Sequence, residues 1–258
     1  MKIIGIIPAH LNSKRFPKKI LYKIKNLPMI EHVRRRALLS KKFNKVIVCT
    51  CDKKIKQTIL KYGGSVIFTS RNHKTGTSRV IEAMNKIDGS HFVILQGDEP
   101  LLDPRYLESL IKTIIKDDNK KNINSWNLIS KIEKFSQIKN PSFVKCFLDN
   151  NGFIKNLFRN IKTSRNQKVY KILGLIAFKR NTLLKLKKTR PSLNEKNKSI
   201  EQLRIIENSM NLKGVVVKKP LPSVNEFQDL AEVNKWLKSN KYQKKVFNKI
   251  QEKFYNLN

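Results

Sequence analysis

From Lys2 to the helix opened by Pro104, apolar runs of strand length alternate with amphipathic runs of helix length, and this alternation restricts the fold more than any other feature. Lys2–Ile7 is β-branched and apolar, as a buried strand requires. Leu27–Ser40 carries Ile30, Val33, Ala37 and Leu38 at helical spacing. Val46–Thr50 predicts a second strand, Lys53–Tyr62 a helix closed by Gly63-Gly64, and Val66–Thr69 a third strand. Thr77–Lys86 predicts a helix capped by Thr75 or Thr77, and Phe92–Gln96 a fourth strand. Asp103-Pro104 starts the next helix, with aspartate as N-cap and proline at the first helical position. Strands separated by helices pair in parallel through right-handed crossovers. The expectation is therefore an α/β fold, a Rossmann-like and mostly parallel sheet flanked by helices.

The second half changes character. Ser125–Lys131, Phe143–Leu148, Phe153–Phe158 and Leu173–Phe178 read as strands, which predicts a smaller inserted β-rich subdomain. Lys185–Lys198 is polar and reads as an irregular loop or insertion. Glu201–Ser209 predicts a helix, Gly214–Lys218 a strand and Asp229–Ser239 an amphipathic helix. Val246, Ile250 and Phe254 stand at i, i+4 and i+8, which predicts one more helix in the tail. A length of 258 residues suits one α/β domain, or a domain with a small subdomain.

The formal charge of +36 raises the question of nucleic acid. The lysines are spread over every segment, with no basic arm and no aromatic-interleaved stripe, so only weak, salt-sensitive attraction to polyanions is expected. No apolar stretch approaches the length of a membrane span, and the N-terminus lacks a signal-peptide pattern. Cys49, Cys51 and Cys146 form no Cys-x-x-Cys pair; they predict a reducing cytoplasm and no structural zinc.

Chemistry is concentrated where two of the strands end. Gln96-Gly97-Asp98-Glu99-Pro100 places carboxylates directly after a buried strand, at the sheet edge where open α/β folds bind ligands. Such a carboxylate can hold Mg²⁺ against nucleotide phosphates. Pro8-Ala9-His10-Leu11-Asn12-Ser13-Lys14-Arg15-Phe16-Pro17-Lys18-Lys19 follows the first strand, and its prolines are expected to end that strand. Its cations suit a triphosphate, although Lys14 and Lys18 read as solvated. Neither Gly-x-x-x-x-Gly-Lys-Ser/Thr nor Gly-x-Gly-x-x-Gly is present, so the P-loop and dinucleotide fingerprints are absent.

These segments together resemble the 3-deoxy-manno-octulosonate (Kdo) cytidylyltransferases, a family of sugar nucleotidyltransferases. The family's Pro-Ala-Arg, Ser, Arg, Pro and Lys are matched by Pro8-Ala9-His10, Ser13, Arg15, Pro17 and Lys19. Its strand ending in Thr-Asp is matched loosely by Thr50-Cys51-Asp52, and its His-x-Ser-Gly-Thr-Asp-Arg by His73 to Arg79. Gln96 to Pro100 is the most specific match. Asn140 to Lys145, Asn151-Gly152, Phe158-Arg159 and Glu201-Gln202-Leu203-Arg204 continue the series in order.

The resemblance implies a nucleotide-diphospho-sugar transferase type of fold and an enzyme that transfers CMP from CTP to an acidic sugar. It implies Mg²⁺ as cofactor, a homodimer, and a place in lipopolysaccharide or surface-polysaccharide synthesis. It implies a single nucleotidyltransferase domain over residues 1–258, with a nucleotide-binding half at 1–120, a sugar-binding and dimerisation half at 121–240, and a C-terminal helix at 241–258. Lys19, Asp98 and Arg15 are the expected catalytic residues. Pro8, Ala9, His10, Ser13, Thr75, Gly76, Arg79 and Gln96 are expected at the nucleotide, and Gln96, Arg159, Glu201 and Gln202 at the sugar. Asp98 and Asn225 are expected at the metal.

Four positions depart from the family. His10 replaces an arginine, Ser78 an aspartate, Ile172 a histidine, and Asn225 a metal-binding aspartate. Asn225 offers a carbonyl oxygen without charge, so metal affinity should fall. Glu226 is a possible substitute whose side chain is expected to point elsewhere if the chain there is extended. The alternatives are an enzyme for another acidic sugar, such as an amino-Kdo or a nonulosonate, and a catalytically weakened homologue. A nucleic-acid binder ranks last.

Overall fold

The computed structural model describes residues 1–133, 135–160 and 168–254. The chain forms two compact units, the first made of Met1–Glu108 with Leu221–Asn258 and the second of Ser109–Pro220. The elements run β1 (Ile3–Ala9), β2 (Lys23–Ile24), β3 (Leu27–Pro28), α1 (Met29–Leu39), β4 (Lys45–Thr50), α2 (Lys53–Lys61), β5 (Ser65–Phe68), α3 (Gly76–Met84), β6 (His91–Leu95) and α4 (Pro104–Asp117). Then come β7 (Ser125–Lys131), α5 (Phe135–Lys139), β8 (Lys145–Leu148), β9 (Ile154–Phe158), β10 (Tyr170–Lys179), α6 (Arg180–Lys188), α7 (Leu193–Lys198), α8 (Leu203–Glu207) and β11 (Leu212–Val217). The chain returns to the first unit with α9 (Asp229–Ser239) and α10 (Lys241–Glu252).

In the first unit the strands lie in the order β5, β4, β1, β6, all parallel, as the alternation of the sequence predicts. Ile4, Ile6, Ile7, Val48, Phe92 and Val93 are buried, which is why these runs read as continuous apolar segments. Gly63 closes the turn after α2 at φ 66°, a left-handed conformation that favours glycine. Asp103 Oδ1 accepts from Arg105 N at 2.8 Å, as its expected capping role requires.

Two expectations in this unit are corrected. β1 does not stop at its proline but runs through Pro8 to Ala9, paired with β4 as far as Ala9 and Thr50. Pairing with β6 has already ended at Ile6 and Ile94, so Pro8 lies past the last rung on that side, where a strand tolerates proline. The helix expected from Leu27 begins at Met29, because Leu27–Pro28 pairs back on Lys23–Ile24. The intervening Lys25 and Asn26 have φ of 50° and 65°, the pair of positive values that a tight hairpin turn needs.

The α1 helix is buried from Met29 to Ala37, charged residues included. Glu31 accepts a bidentate pair from Arg34, at 2.7 Å for each bond, and a further bond from Arg35 at 3.1 Å. α10 covers this helix. Arg35 Nη1 donates to Ile250 O, Arg36 Nη1 donates to Gln243 Oε1 at 2.7 Å, and His32 stacks on Phe247 with ring centroids 5.5 Å apart. Burial pushes the His32 imidazole down from 6.5 to about 3.

Below pH 6.5 the unfolded chain therefore takes up a proton at this position that the folded chain refuses, and stability is lost as pH falls. Between pH 7 and pH 5 the protein should lose about 2 kcal/mol more than a His32→Gln variant, from a slope of about 1.4 kcal/mol per pH unit over 1.5 units. Urea unfolding at the two pH values measures this, and parallel profiles for the two proteins would refute it.

In the second unit β7 lies between β11, which is parallel to it, and β10, which is antiparallel. β8 joins β10 and β9 in antiparallel pairs. The register of β10 on β7 shifts between Ile172 and Ile176, which marks a bulge. Lys185–Lys198 is not irregular: α6 covers its start and α7 its end. Two sparse apolar contacts and one ion pair hold these polar helices. Leu183 and Leu186 of α6 are buried, and the buried Glu195 of α7 accepts from Arg204 of α8. No helix among the described residues is long and apolar enough to cross a membrane.

Candidate functional site

The four parallel strands of the first unit end at one edge, and their exits carry the residues singled out by the sequence. Pro8, Ala9 and His10 lie at the end of β1, Thr50 to Asp52 after β4, Thr69 after β5, and Gln96 to Asp98 after β6. β1 leads to β4 and β5 on one side, and the next strand, β6, lies on its other side. The crevice between β1 and β6 is thus a topological switch point, where open α/β sheets bind their ligands.

Lys19 and Asp98 meet at this point. Lys19 Nζ donates to Asp98 Oδ2 at 2.6 Å and to Val224 O at 2.9 Å. The two side chains are 11% and 27% exposed, so water screens the pair only in part. Asp98 O accepts from Val224 N at 2.9 Å, which brings the return segment Val224-Asn225-Glu226 beside the β6 exit. Val224 is buried in a cluster with Ile24, Met29, Leu101, Leu230 and Val233, and this packing fixes the segment. Gly97 packs closely here: a Cβ at this position would stand 2.9 Å from Ile20 Cδ1, so that side chain would have to shift.

Arg15 reaches the same segment, donating from Nη2 to Asn225 Oδ1 at 3.2 Å and lying 3.7 Å from Glu226 Oε1. Glu226 therefore does face the basic loop, contrary to the expectation for extended chain. Asp229 Oδ2 accepts from the backbone N–H groups of both Asn225 and Glu226, which curls the segment into the start of α9. Lys14 and Lys18 are exposed. His10 is held below its ordinary value, first by partial burial and then by the charge of Arg79. Of the loop's cations, Arg15 reaches Asn225 in the return segment and Lys19 reaches Asp98 and Val224. Ser13 Oγ accepts from Phe16 N at 3.4 Å. Asp52 Oδ2 accepts from Leu11 N at 2.9 Å and ties the loop to the β4 exit. The sequence marks Asp52 only through its loose match to a strand ending in Thr-Asp.

The turn before α3 completes this edge. Thr75 Oγ1 accepts from Ser78 N at 3.1 Å and is the cap of the helix. A Cβ on Gly76 would stand 3.2 Å from Pro8 Cγ, so the turn packs closely on the end of β1. Arg79 is buried, and its Nη1 donates to Thr69 Oγ1 at 2.6 Å and to Ser70 O at 3.0 Å. Gln96 is exposed.

The residues expected at the sugar, apart from Gln96, lie in the second unit. Arg159 donates to the carbonyls of Pro141, Ser142, Lys198 and Ser199 at 2.8–3.2 Å, which braces the chain just before Glu201 and Gln202. Lys145 is buried; its ammonium donates to Asn140 O at 2.6 Å and to Arg159 O. Gln202 Nε2 lies 3.4 Å from Asn127 Oδ1, and Asn127 Nδ2 donates to Leu173 O in the β10 bulge at 2.9 Å. No local sequence pattern marks Asn127, whose amide is buried on β7.

Asp98 offers one carboxylate for a metal and Asn225 a neutral oxygen. Among the described residues no group of three or more His, Cys, Asp or Glu side chains gathers to hold a metal. One carboxylate and a neutral oxygen are donors that Mg²⁺ accepts, since it completes its shell with phosphate oxygens and water; here Asp98 Oδ2 faces Lys19 and Asn225 Oδ1 faces Arg15.

Comparison with known proteins places the chain in a family. A family model described as cytidylyltransferase matches residues 4–213. The 3-deoxy-manno-octulosonate cytidylyltransferase of Chlorobium limicola is 35% identical over 243 residues, covering 92% of this chain and 98% of that one. The protein of the same name from Fusobacterium nucleatum is 33% identical over 245 residues, covering 93% and 98%. Among solved structures, a CMP:2-keto-3-deoxy-manno-octonic acid synthetase complexed with CTP matches with a TM-score of 0.87 at 30% identity, covering 92% of this chain and 98% of that one. A family model that spans most of the chain, and relatives above 30% identity that cover nearly all of it, establish that the chain belongs to the cytidylyltransferase family.

Proposed function

We propose that this protein transfers CMP from CTP to the anomeric hydroxyl of Kdo or a related acidic sugar, for lipopolysaccharide or surface-polysaccharide synthesis. The observation that carries the reading is the meeting of Lys19 and Asp98 at the switch point between β1 and β6. The sugar oxygen attacks the α-phosphorus, the bond from that phosphorus to the bridging oxygen breaks, pyrophosphate leaves, and the hydroxyl proton passes to solvent. Negative charge spreads over phosphate oxygens in the transition state, so cations and positioning do most of the catalytic work.

Lys19 and Arg15 neutralise the triphosphate in this reading. Ser13, His10 and the Pro8-Ala9 backbone seat the nucleotide, with Thr75, Gly76 and Gln96 around it. Arg79 acts through the Thr69–Ser70 backbone that it holds. Asp98 holds Mg²⁺ with Asn225 as a neutral donor, and the ion supplies charge neutralisation at the phosphates. In the second unit, Glu201 and Gln202, set by the Arg159 brace, serve the sugar acid in this reading. The three cysteines are free and buried, which supports a reducing cytoplasm, and the family resemblance supports a homodimer. Pyrophosphate release from CTP and Mg²⁺, assayed against a panel of acidic sugars, tests the activity. Absence of release with every sugar would overturn it.

Asn225 favours one second reading, a homologue with weakened turnover. Asn225→Asp adds a carboxylate to the return segment, next to the Val224 that Asp98 O anchors, and should lower the Mg²⁺ concentration for half-maximal rate by about tenfold. Turnover that holds or rises supports the active enzyme. Tighter Mg²⁺ binding with turnover still absent supports the weakened homologue. An unchanged Mg²⁺ dependence would remove residue 225 from the metal site.

A further inference from the structure

Where the sequence departs from its family at Ser78, the side chains around α3 form a connected clamp. His73 Nε2 lies 2.5 Å from Glu82 Oε2, and His73 Nδ1 lies 3.2 Å from Ser78 Oγ. Ser78 Oγ donates in turn to Thr75 O at 2.9 Å, within the turn that packs on Pro8. Glu82 also accepts from Ser70 N, at 3.0 Å to Oε2 and 3.2 Å to Oε1. Arg79, one turn earlier on the same helix, takes Ser70 O. The Ser70 residue is thus gripped through both its backbone groups, and His73 is gripped through both ring nitrogens. Burial pushes the Glu82 carboxyl up, but the bonds from His73 and Ser70 outweigh it and hold the group below the usual carboxylate range.

We propose that Glu82 and His73 are positioning residues that, through Ser78, set the Thr75–Gly76 turn against Pro8 for nucleotide binding. The proposal rests on the reading of the first unit as a CTP site. Position 78 lies at i−4 from Glu82, so the two share one face of α3, and His73 lies within reach of both. They meet opposite nitrogens of its imidazole, Ser78 Oγ at Nδ1 and Glu82 Oε2 at Nε2.

The test is kinetic and includes a conservative variant. Glu82→Gln keeps an acceptor for Ser70 N but removes the charge facing His73. It should raise the KM for CTP by about tenfold, the size expected for losing a charge-assisted bond. It should leave kcat within about threefold, because Lys19 and Asp98 are untouched. Glu82→Asp, which keeps a carboxylate on the same face of the helix, should retain more of the CTP affinity than Glu82→Gln. His73 and Glu82 side chains are only 17% and 31% exposed, so thermal unfolding of each variant accompanies the kinetics. His73→Gln gives an independent break of the same clamp and should raise KM alike. A wild-type KM in both Glu82→Gln and His73→Gln, or a Glu82→Asp variant no better than Glu82→Gln, would overturn the clamp. Absence of pyrophosphate release by the wild-type protein would instead overturn the functional reading beneath it.

Discussion

Asp98→Asn is expected to lower turnover by about 10²- to 10³-fold at saturating Mg²⁺, the range seen when one group that stabilises transition-state charge is removed. Three observations converge on this residue. It follows β6 at the switch point, its carboxylate takes the Lys19 ammonium, and its backbone carbonyl anchors Val224. The substitution is close to isosteric, and the backbone bond to Val224 does not involve the side chain, so the Val224–Glu226 segment should stay in place. The loss should therefore appear in kcat, with little change in the unfolding midpoint. Steady-state pyrophosphate release, beside a denaturation curve, measures both. A variant that turns over at the wild-type rate would exclude Asp98 as the metal centre.

Lys19→Ala should reduce kcat/KM by about 10²-fold or more, while Lys18→Ala changes it by less than about twofold. The two lysines are neighbours in a chain of +36, so bulk charge cannot separate them. Their surroundings can. Lys18 is exposed, whereas Lys19 is largely enclosed and holds Asp98 and Val224 at 2.6 and 2.9 Å. Raising the salt concentration should weaken any effect of Lys18 and leave most of the effect of Lys19, since a partly buried charge is screened less. Equal and small losses in both variants would take the basic loop out of the mechanism.

The legible part of the site was the part carried by short segments. Gln96 to Pro100 follows a strand that its own apolar content defines, and the loop from Pro8 to Lys19 follows another. Any parallel arrangement of those strands puts both exits on one edge. The sites in the second unit were less legible. Arg159 read as a cation for an acidic sugar, yet its donors are spread over four carbonyls from two distant segments. Asn127 and Glu82 drew no notice, because one polar residue in a strand or a helix has no pattern until its partners are known. The polar run Lys185–Lys198 looked irregular because only a few buried contacts, Leu183, Leu186 and Glu195, hold its helices.

Periodicity and turn chemistry depend on neighbours within a few residues, and by themselves they determined the parallel α/β core, its strand exits and the Thr75 and Asp103 caps. The burial of Glu31, His32 and Arg34 to Arg36 was decided only in three dimensions. Their covering partners, Gln243, Phe247 and Ile250, lie more than 200 residues away in the chain. The same holds for Lys19, whose contact with Val224 spans 205 positions, and for Arg15, whose contact with Asn225 spans 210. A charged side chain carries the same identity whether solvated or enclosed. Only the packing that removes water from around it, and supplies a partner in return, gives it a role.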